Sequence, residues 1–167
     1  MNHKGFTLIE LVIIIILIGI IAVVVAPKLG DVTTTKASSF RDKLKADIRY
    51  AQNLAMSQNR RYRVYFNTAP APNPGYAVVN DANGNGTWGE AGEIAMDPAG
   101  GGNLSVTLNA GQYAGISITA VGFAGNYVEF DSLGRPYDSG GLLAVSQSVT
   151  VTGGSSVTVS PQTGAVN

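Results

Sequence analysis

From Phe6 to Ala26 the chain carries one charge, Glu10, inside an apolar run dominated by Ile and Val. As a helix this run would rise about 32 Å, close to the roughly 30 Å hydrocarbon core of a bilayer. No other feature constrains the chain as strongly, because a helix apolar on every side must be covered by lipid or by other protein. A secretory signal also starts with a charge and an apolar stretch. Its apolar core is shorter, about 7–15 residues, and ends at an A-x-A-like site. Here Ala22 and Ala26 stand four apart, Val24 holds the residue two before Ala26, and Pro27 would follow the cut. The segment therefore reads as a retained anchor.

Glu10 is the anomaly in this run. A carboxylate in mid-bilayer costs about 2.5–3.5 kcal/mol on insertion scales, less near the interface. Its neighbours one helical turn away, Thr7 and Ile14, carry no positive charge. A partner must come from lipid headgroups or another chain. Loop charges do not set the orientation, since Lys28, Lys36, Arg41, Lys43 and Lys45 follow the run and only His3 and Lys4 precede it.

Composition narrows the chemistry. There is no Cys and one His, His3. A disulfide scaffold, a thiolate zinc site, a cysteine nucleophile, a multi-histidine metal site and a Ser-His-Asp triad are all excluded. Glu129 and Asp131, two apart on an expected strand, share a face but lack an accompanying base, nucleophile or metal set. The chain therefore reads as a non-enzyme. Net charge is zero but divided: residues 28–63 hold nine basic and three acidic residues, net +6, and residues 64–167 hold one basic and seven acidic, net −6. Either these are two solvated surfaces or they are complementary faces within a polymer.

Lys4-Gly5-Phe6-Thr7-Leu8-Ile9-Glu10-Leu11 resembles the processing motif of type IV pilins and type II secretion pseudopilins. The resemblance implies that a prepilin peptidase cuts between Gly5 and Phe6, that the new Phe6 amine is methylated, and that Glu10 meets the N-terminal amine of a neighbouring subunit. It also implies an inner-membrane assembly platform as partner. Pro27, the 22nd residue after the expected cut, stands where the family commonly has a kinking proline. Physics fits these roles. Cleavage leaves a cation about 6 Å along the helix axis from Glu10, and an intermolecular pair would form only in the correct stagger. Pro27 lacks a backbone donor and clashes with the carbonyl four residues back, so a kink is expected there.

Phe40, Leu44, Ile48, Ala51 and Ala55 recur at spacings 4, 4, 3 and 4, one helical face, with Lys36, Lys43, Asp47 and Gln58 largely off it. One long helix is expected to about Asn59, loosened around Pro27–Thr35, with its second half packed on a sheet through this stripe. After Asn59 the period becomes two. Strands are expected at 62–66, 75–79, 93–96, 104–108, 116–119, 127–130, 146–152 and 156–160, with Gly153-Gly154 as a two-residue hairpin turn. The fold class is α+β: a long N-terminal helix, membrane-spanning in its first half, on an antiparallel β head. The organisation expected is a leader at 1–5, a membrane and filament-core helix at 6–27, an amphipathic continuation at 28–60 and a Gly-rich head at 61–167.

The downstream part resembles GspH/FimT-like minor pilins and pseudopilins, through Leu44–Arg60, Val78–Ile94, Val128–Arg135 and Val157–Val166. The last residues, Gly164-Ala-Val-Asn, depart from the Gly-Arg of many relatives. The implied function is a structural subunit of a type IV pilus or type II secretion filament, partnered by pilin or pseudopilin subunits in a homo- or hetero-polymer. The implied location is the bacterial inner membrane, head outside the cytoplasm, and then the filament. A major pilin and a DNA-capturing minor pilin are the alternatives. A bitopic periplasmic enzyme is a third.

Two further sites are legible. Asp81-Ala-Asn83-Gly-Asn85-Gly86 fits the opening of a calcium loop, with Thr87 offering a carbonyl and Glu90 or Glu93 closing it. Position 12 is Gly92, so a plain Asn-Gly turn is the competing reading. Arg60, Arg61 and Arg63 beside Tyr62 could touch nucleic-acid phosphates. The net −6 of the sheet half argues against that, and a solvated helix end is the competing reading.

Overall fold

A computed structural model describes residues 6–25 and 32–167, which part into two compact units between Thr33 and Thr34. Gly5, Pro27 and the expected kink lie outside the described residues.

The first unit holds α1, Leu8–Val25. Thr7 caps it: its Oγ1 accepts the Glu10 N–H at 3.3 Å, and its carbonyl accepts from Glu10 at 3.1 Å and Leu11 at 3.2 Å. Glu10 thus stands in the first turn, where the helix dipole favours an anion. Every side chain from Phe6 to Ala22 is exposed. Among the described residues no helix is long and apolar enough to cross a membrane. The 18 residues of α1 rise about 27 Å, somewhat less than a bilayer core.

The helix α2 runs Val32–Ser57, so the stretch through Thr35 that the sequence marks as loosened is helical from Val32 on. The strands are β1 Tyr62–Phe66, β2 Gly75–Asn80, β3 Ser105–Thr107, β4 Ile118–Val121, β5 Tyr127–Phe130, β6 Pro136–Asp138, β7 Gly141–Leu142, β8 Gln147–Val151 and β9 Ser156–Val159. They form two antiparallel sheets, β3-β2-β1-β5-β6-β7 and β4-β8-β9, where the sequence suggested one. The expected strand at 93–96 is reduced to single bridges, Val79 to Ile94 and Met96 to Asn103. The hairpin after β8 uses three residues, not two. Val151 N–H donates to Ser155, and Gly154 N–H donates back to Val151.

The α2 stripe is buried as expected: Phe40, Leu44, Ile48, Ala51 and Ala55 are at most 1% exposed and join Tyr62, Val64 and Phe66 of β1, Tyr76 and Val78 of β2, and Val128 and Phe130 of β5. Alternation turns Arg63 and Tyr65 to the opposite face, where Ala77 and Val79 form a smaller cluster with Ala71, Trp88 and Ile94. Strand β2 is therefore buried on both faces along its whole length. Asp47 corrects the reading of the stripe: it is buried. Tyr76 donates its hydroxyl to Asp47, and Lys43 Nζ lies 2.8 Å away. Burial and the Asp47 charge together push the Tyr76 hydroxyl far up.

Three stretches that carry the downstream resemblance converge on one side chain of α2. Gln52 Nε2 donates to the Gly134 carbonyl at 2.8 Å and to the Thr163 carbonyl at 3.0 Å. Gly164, at φ +65°, passes so close that a Cβ there would lie 2.5 Å from both the Gly134 carbonyl and Gln52 Nε2. The chain then runs back along β9. Thr158 and Asn167 exchange N–H···O bonds of 3.0 and 2.8 Å, and Val166 bridges Val159.

Candidate functional site

The start of α1 brings together Phe6, Thr7 and Glu10. Phe6 is 75% exposed, and Glu10 is exposed as well. The cap by Thr7 escaped the sequence reading, although Thr-x-x-Glu ahead of an apolar run was its visible signal. What the helix offers is an apolar surface in every direction, marked by one carboxylate at its first turn.

The loop after β2 folds around its own polar side chains. Asp81 Oδ1 accepts from the N–H groups of Gly84 and Asn85, at 2.8 and 3.1 Å, and Oδ2 from Gly86 at 2.9 Å. Asn83 Oδ1 accepts from Asn85, and Asn85 Oδ1 from Thr87. Both amides donate to Glu90 Oε2, at 2.7 and 2.8 Å. Glu93 sits beneath, buried, accepting from the N–H groups of Ala82, Asn83 and Glu90. The structure thus gathers Asp81, Asn83, Asn85 and Glu90 on one loop and uses Glu93 as an internal strut. Among the described residues no three His, Cys, Asp or Glu side chains group to hold a metal ion. A cation here would need the asparagine oxygens.

The three arginines part company. Arg60 is exposed. Arg63 Nε donates to Glu129 Oε2 and Arg61 Nη1 to Glu129 Oε1, each at 2.5 Å, with Glu129 only 2% exposed. The Arg63 guanidinium lies between the rings of Trp88 and Tyr127, 3.9 and 4.3 Å from their centroids, and donates to the Tyr65 hydroxyl at 2.9 Å. Arg61 stands over Tyr137. Burial works against the Arg63 charge, yet Glu129 and Tyr65 outweigh it and hold the group above its ordinary value. Two arginines of the basic segment are thus committed to a carboxylate of the acidic one. Asp131, just past β5, accepts from Leu133 N–H and from the backbone and side chain of Arg135. Burial opposes its charge, but those bonds hold it below the usual carboxylate value. The Tyr137 hydroxyl also donates to Asp131 Oδ2, at 3.3 Å.

Two sequence families match this chain. Residues 1–26 match the prokaryotic N-terminal methylation motif, and residues 41–164 match type II transport protein GspH. The chain belongs to the GspH family. The GspH match spans α2 from its third turn, both sheets and the Gly134 and Gly164 turns that meet at Gln52. GspH-family chains are pilin-like structural subunits. A solved structure, the type IV minor pilin FimU of Pseudomonas aeruginosa, is similar at 15% identity with a TM-score of 0.44, over 78% of this chain and 90% of that one. No curated protein sequence matches the chain.

Proposed function

We propose that this GspH-family chain is a minor pilin or pseudopilin, built into a type IV pilus or type II secretion filament through α1. The observation that carries the reading is a methylation motif leading into a helix whose described side chains are exposed and apolar on every side. Such a surface is stable in lipid and equally so among other apolar helices. Extraction from membrane into filament therefore exchanges one apolar cover for another. In this reading residues 1–5 are a leader and Phe6 becomes the methylated N-terminus. Residues 6–27 anchor the chain in the bacterial inner membrane with the head outside the cytoplasm, 28–60 extend the helix, and 61–167 form the head. Glu10 fixes the stagger between subunits by pairing with a neighbour's amine. Prepilin peptidase and an assembly platform are the processing and assembly partners.

Nucleic-acid capture has less support, because Arg61 and Arg63 are both paired with Glu129, with Arg63 half-buried and Arg60 and Arg61 exposed. Intact-mass measurement of protein from native membranes tests the proposal. The expected chain lacks residues 1–5 and carries one extra methyl. A chain that retains Met1, or one that starts after Ala26, defeats it.

A further inference from the structure

The loop after β2 contains both Asn-Gly pairs of the chain, Asn83-Gly84 and Asn85-Gly86, and all of these residues are exposed. An asparagine followed by glycine has a reaction of its own. The glycine nitrogen, once it loses its hydrogen, attacks the asparagine Cγ. The Cγ–Nδ2 bond breaks, ammonia leaves, and a succinimide ring remains. Water then opens either carbonyl of the ring to give aspartate or isoaspartate. Glycine permits ring closure best because it has no side chain, and asparagine is accordingly counted among the thermolabile residues. Around Gly84 and Gly86, at φ +72° and +83°, nothing beyond the adjoining chain lies within 4 Å of where a Cβ would stand, so packing does not obstruct the reaction.

Hydrogen bonds at each reacting atom do obstruct it. One carboxylate holds both nucleophiles: Asp81 Oδ1 accepts the Gly84 N–H at 2.8 Å, and Oδ2 accepts the Gly86 N–H at 2.9 Å. A bond to an anion makes that hydrogen harder to remove. A second carboxylate holds both leaving groups: Asn83 and Asn85 donate from Nδ2 to Glu90 Oε2, at 2.7 and 2.8 Å. The amide oxygens are fixed as well, accepting from the N–H groups of Asn85 at 2.9 Å and Thr87 at 2.7 Å. Neither amide can turn its Cγ toward the glycine nitrogen without giving up these bonds.

We propose that Asn83 and Asn85 are paired deamidation sites held closed by Asp81, and that each opening of the loop exposes them to conversion into aspartate or isoaspartate. Local opening of this kind is open to any exposed loop of a folded protein. Glu90 makes the conversion one-way. A carboxylate has no N–H to donate, so Glu90 loses a donor and gains a like charge, and the loop recloses less well around the remaining asparagine. Each conversion adds one negative charge to the surface and records that the loop has been open. The inference goes beyond the filament-subunit reading and does not depend on it.

The test incubates the full chain, purified in detergent, at mildly alkaline pH, both native and in urea. Water enriched in heavy oxygen labels each new carboxylate, and peptide mapping by mass counts the label at Asn83 and Asn85. Both are expected to convert at least tenfold more slowly in the native chain than in urea. Asp81→Ala, still folded by circular dichroism, should raise the native rate at least tenfold. Should that variant fail to fold, hydrogen exchange of the native wild-type chain takes its place: the Gly84 and Gly86 amides should exchange at least tenfold more slowly than in urea. Equal conversion in the native chain and in urea overturns the proposal. So does a folded Asp81→Ala chain that converts as slowly as wild type, or free exchange of the two glycine amides.

Discussion

Arg63 holds its guanidinium 3.9 Å from the centroid of Trp88, closer than to Tyr127 at 4.3 Å or Tyr65 at 6.0 Å. Trp88 belongs to the long loop after β2, so this stack ties that loop to the sheet. Trp88 is the sole tryptophan, so its fluorescence reports the contact directly. In a fragment starting at Thr34, Arg63→Lys should shift the emission to longer wavelength and cost about 1–2 kcal/mol, because an ammonium loses the planar stack. Glu129→Gln should cost more, about 3 kcal/mol, since it leaves two arginines facing a neutral, buried amide. Urea denaturation orders the two, and equal costs would contradict the central place given to Glu129.

Gly164→Ala is expected to lower stability by about 2–3 kcal/mol, since it combines a left-handed backbone with a clash at the Gly134 carbonyl and Gln52. Gly154→Ala, also at positive φ but with open space around it, should cost only about 1 kcal/mol. The difference in denaturation midpoint between the two measures the close approach of Gly164 to Gln52, the Gly134 carbonyl and Phe130.

The Asp131 carboxyl titrates below its unfolded value of 3.8. The unfolded chain therefore binds a proton before the folded one does, and stability must fall as pH drops from about 4 through the folded value. Above pH 5 this contribution is fully present. Asp131→Asn should flatten the acid limb of a stability–pH curve below about pH 4. A limb as steep as wild type would show that other carboxylates carry it.

Glu10→Val should leave membrane insertion intact or improve it, because a costly charge is removed. Filament incorporation should fall at least tenfold. Cell fractionation and filament shearing check both halves, and wild-type incorporation of the variant would remove the pairing role from Glu10.

If the Asp81 loop takes calcium, the asparagine amides must release Glu90, and the small number of carboxylates keeps affinity weak, roughly 10⁻⁴–10⁻³ M. At ten times Kd the gain is about 1.4 kcal/mol. The melting temperature of the head fragment should rise in millimolar calcium relative to chelator, and Asp81→Ala should erase the rise. An unchanged melting temperature leaves the loop as a self-bonded turn.

The helices and longer strands were legible because period and burial coincide. The Phe40–Ala55 stripe and strands such as Tyr62–Phe66 and Tyr127–Phe130 follow from spacing alone. Strands β6 and β7, three and two residues long, are too short to show a period. Ile94 and Met96 alternate as a strand should, yet each finds one bridging partner instead of a ladder. The polar interior was hidden for a different reason. Glu129 meets Arg63 across 66 positions, Tyr76 meets Asp47 across 29, and no local pattern encodes such pairs. Arg61 and Arg63 consequently read as a local basic cluster, while their pairing with Glu129, 68 and 66 positions away, has no local signal.

The residues after Gly164 lie along β9 like a closed zip. A sheet margin that would otherwise hold a row of free amides and carbonyls is used up within the molecule. For a chain that assembles as proposed this has a practical meaning. Sticky sheet borders would let heads fuse indiscriminately, without regard to register. With that border sealed, growth is left to contacts that count residues and match shapes, and a subunit in the wrong place finds little to hold.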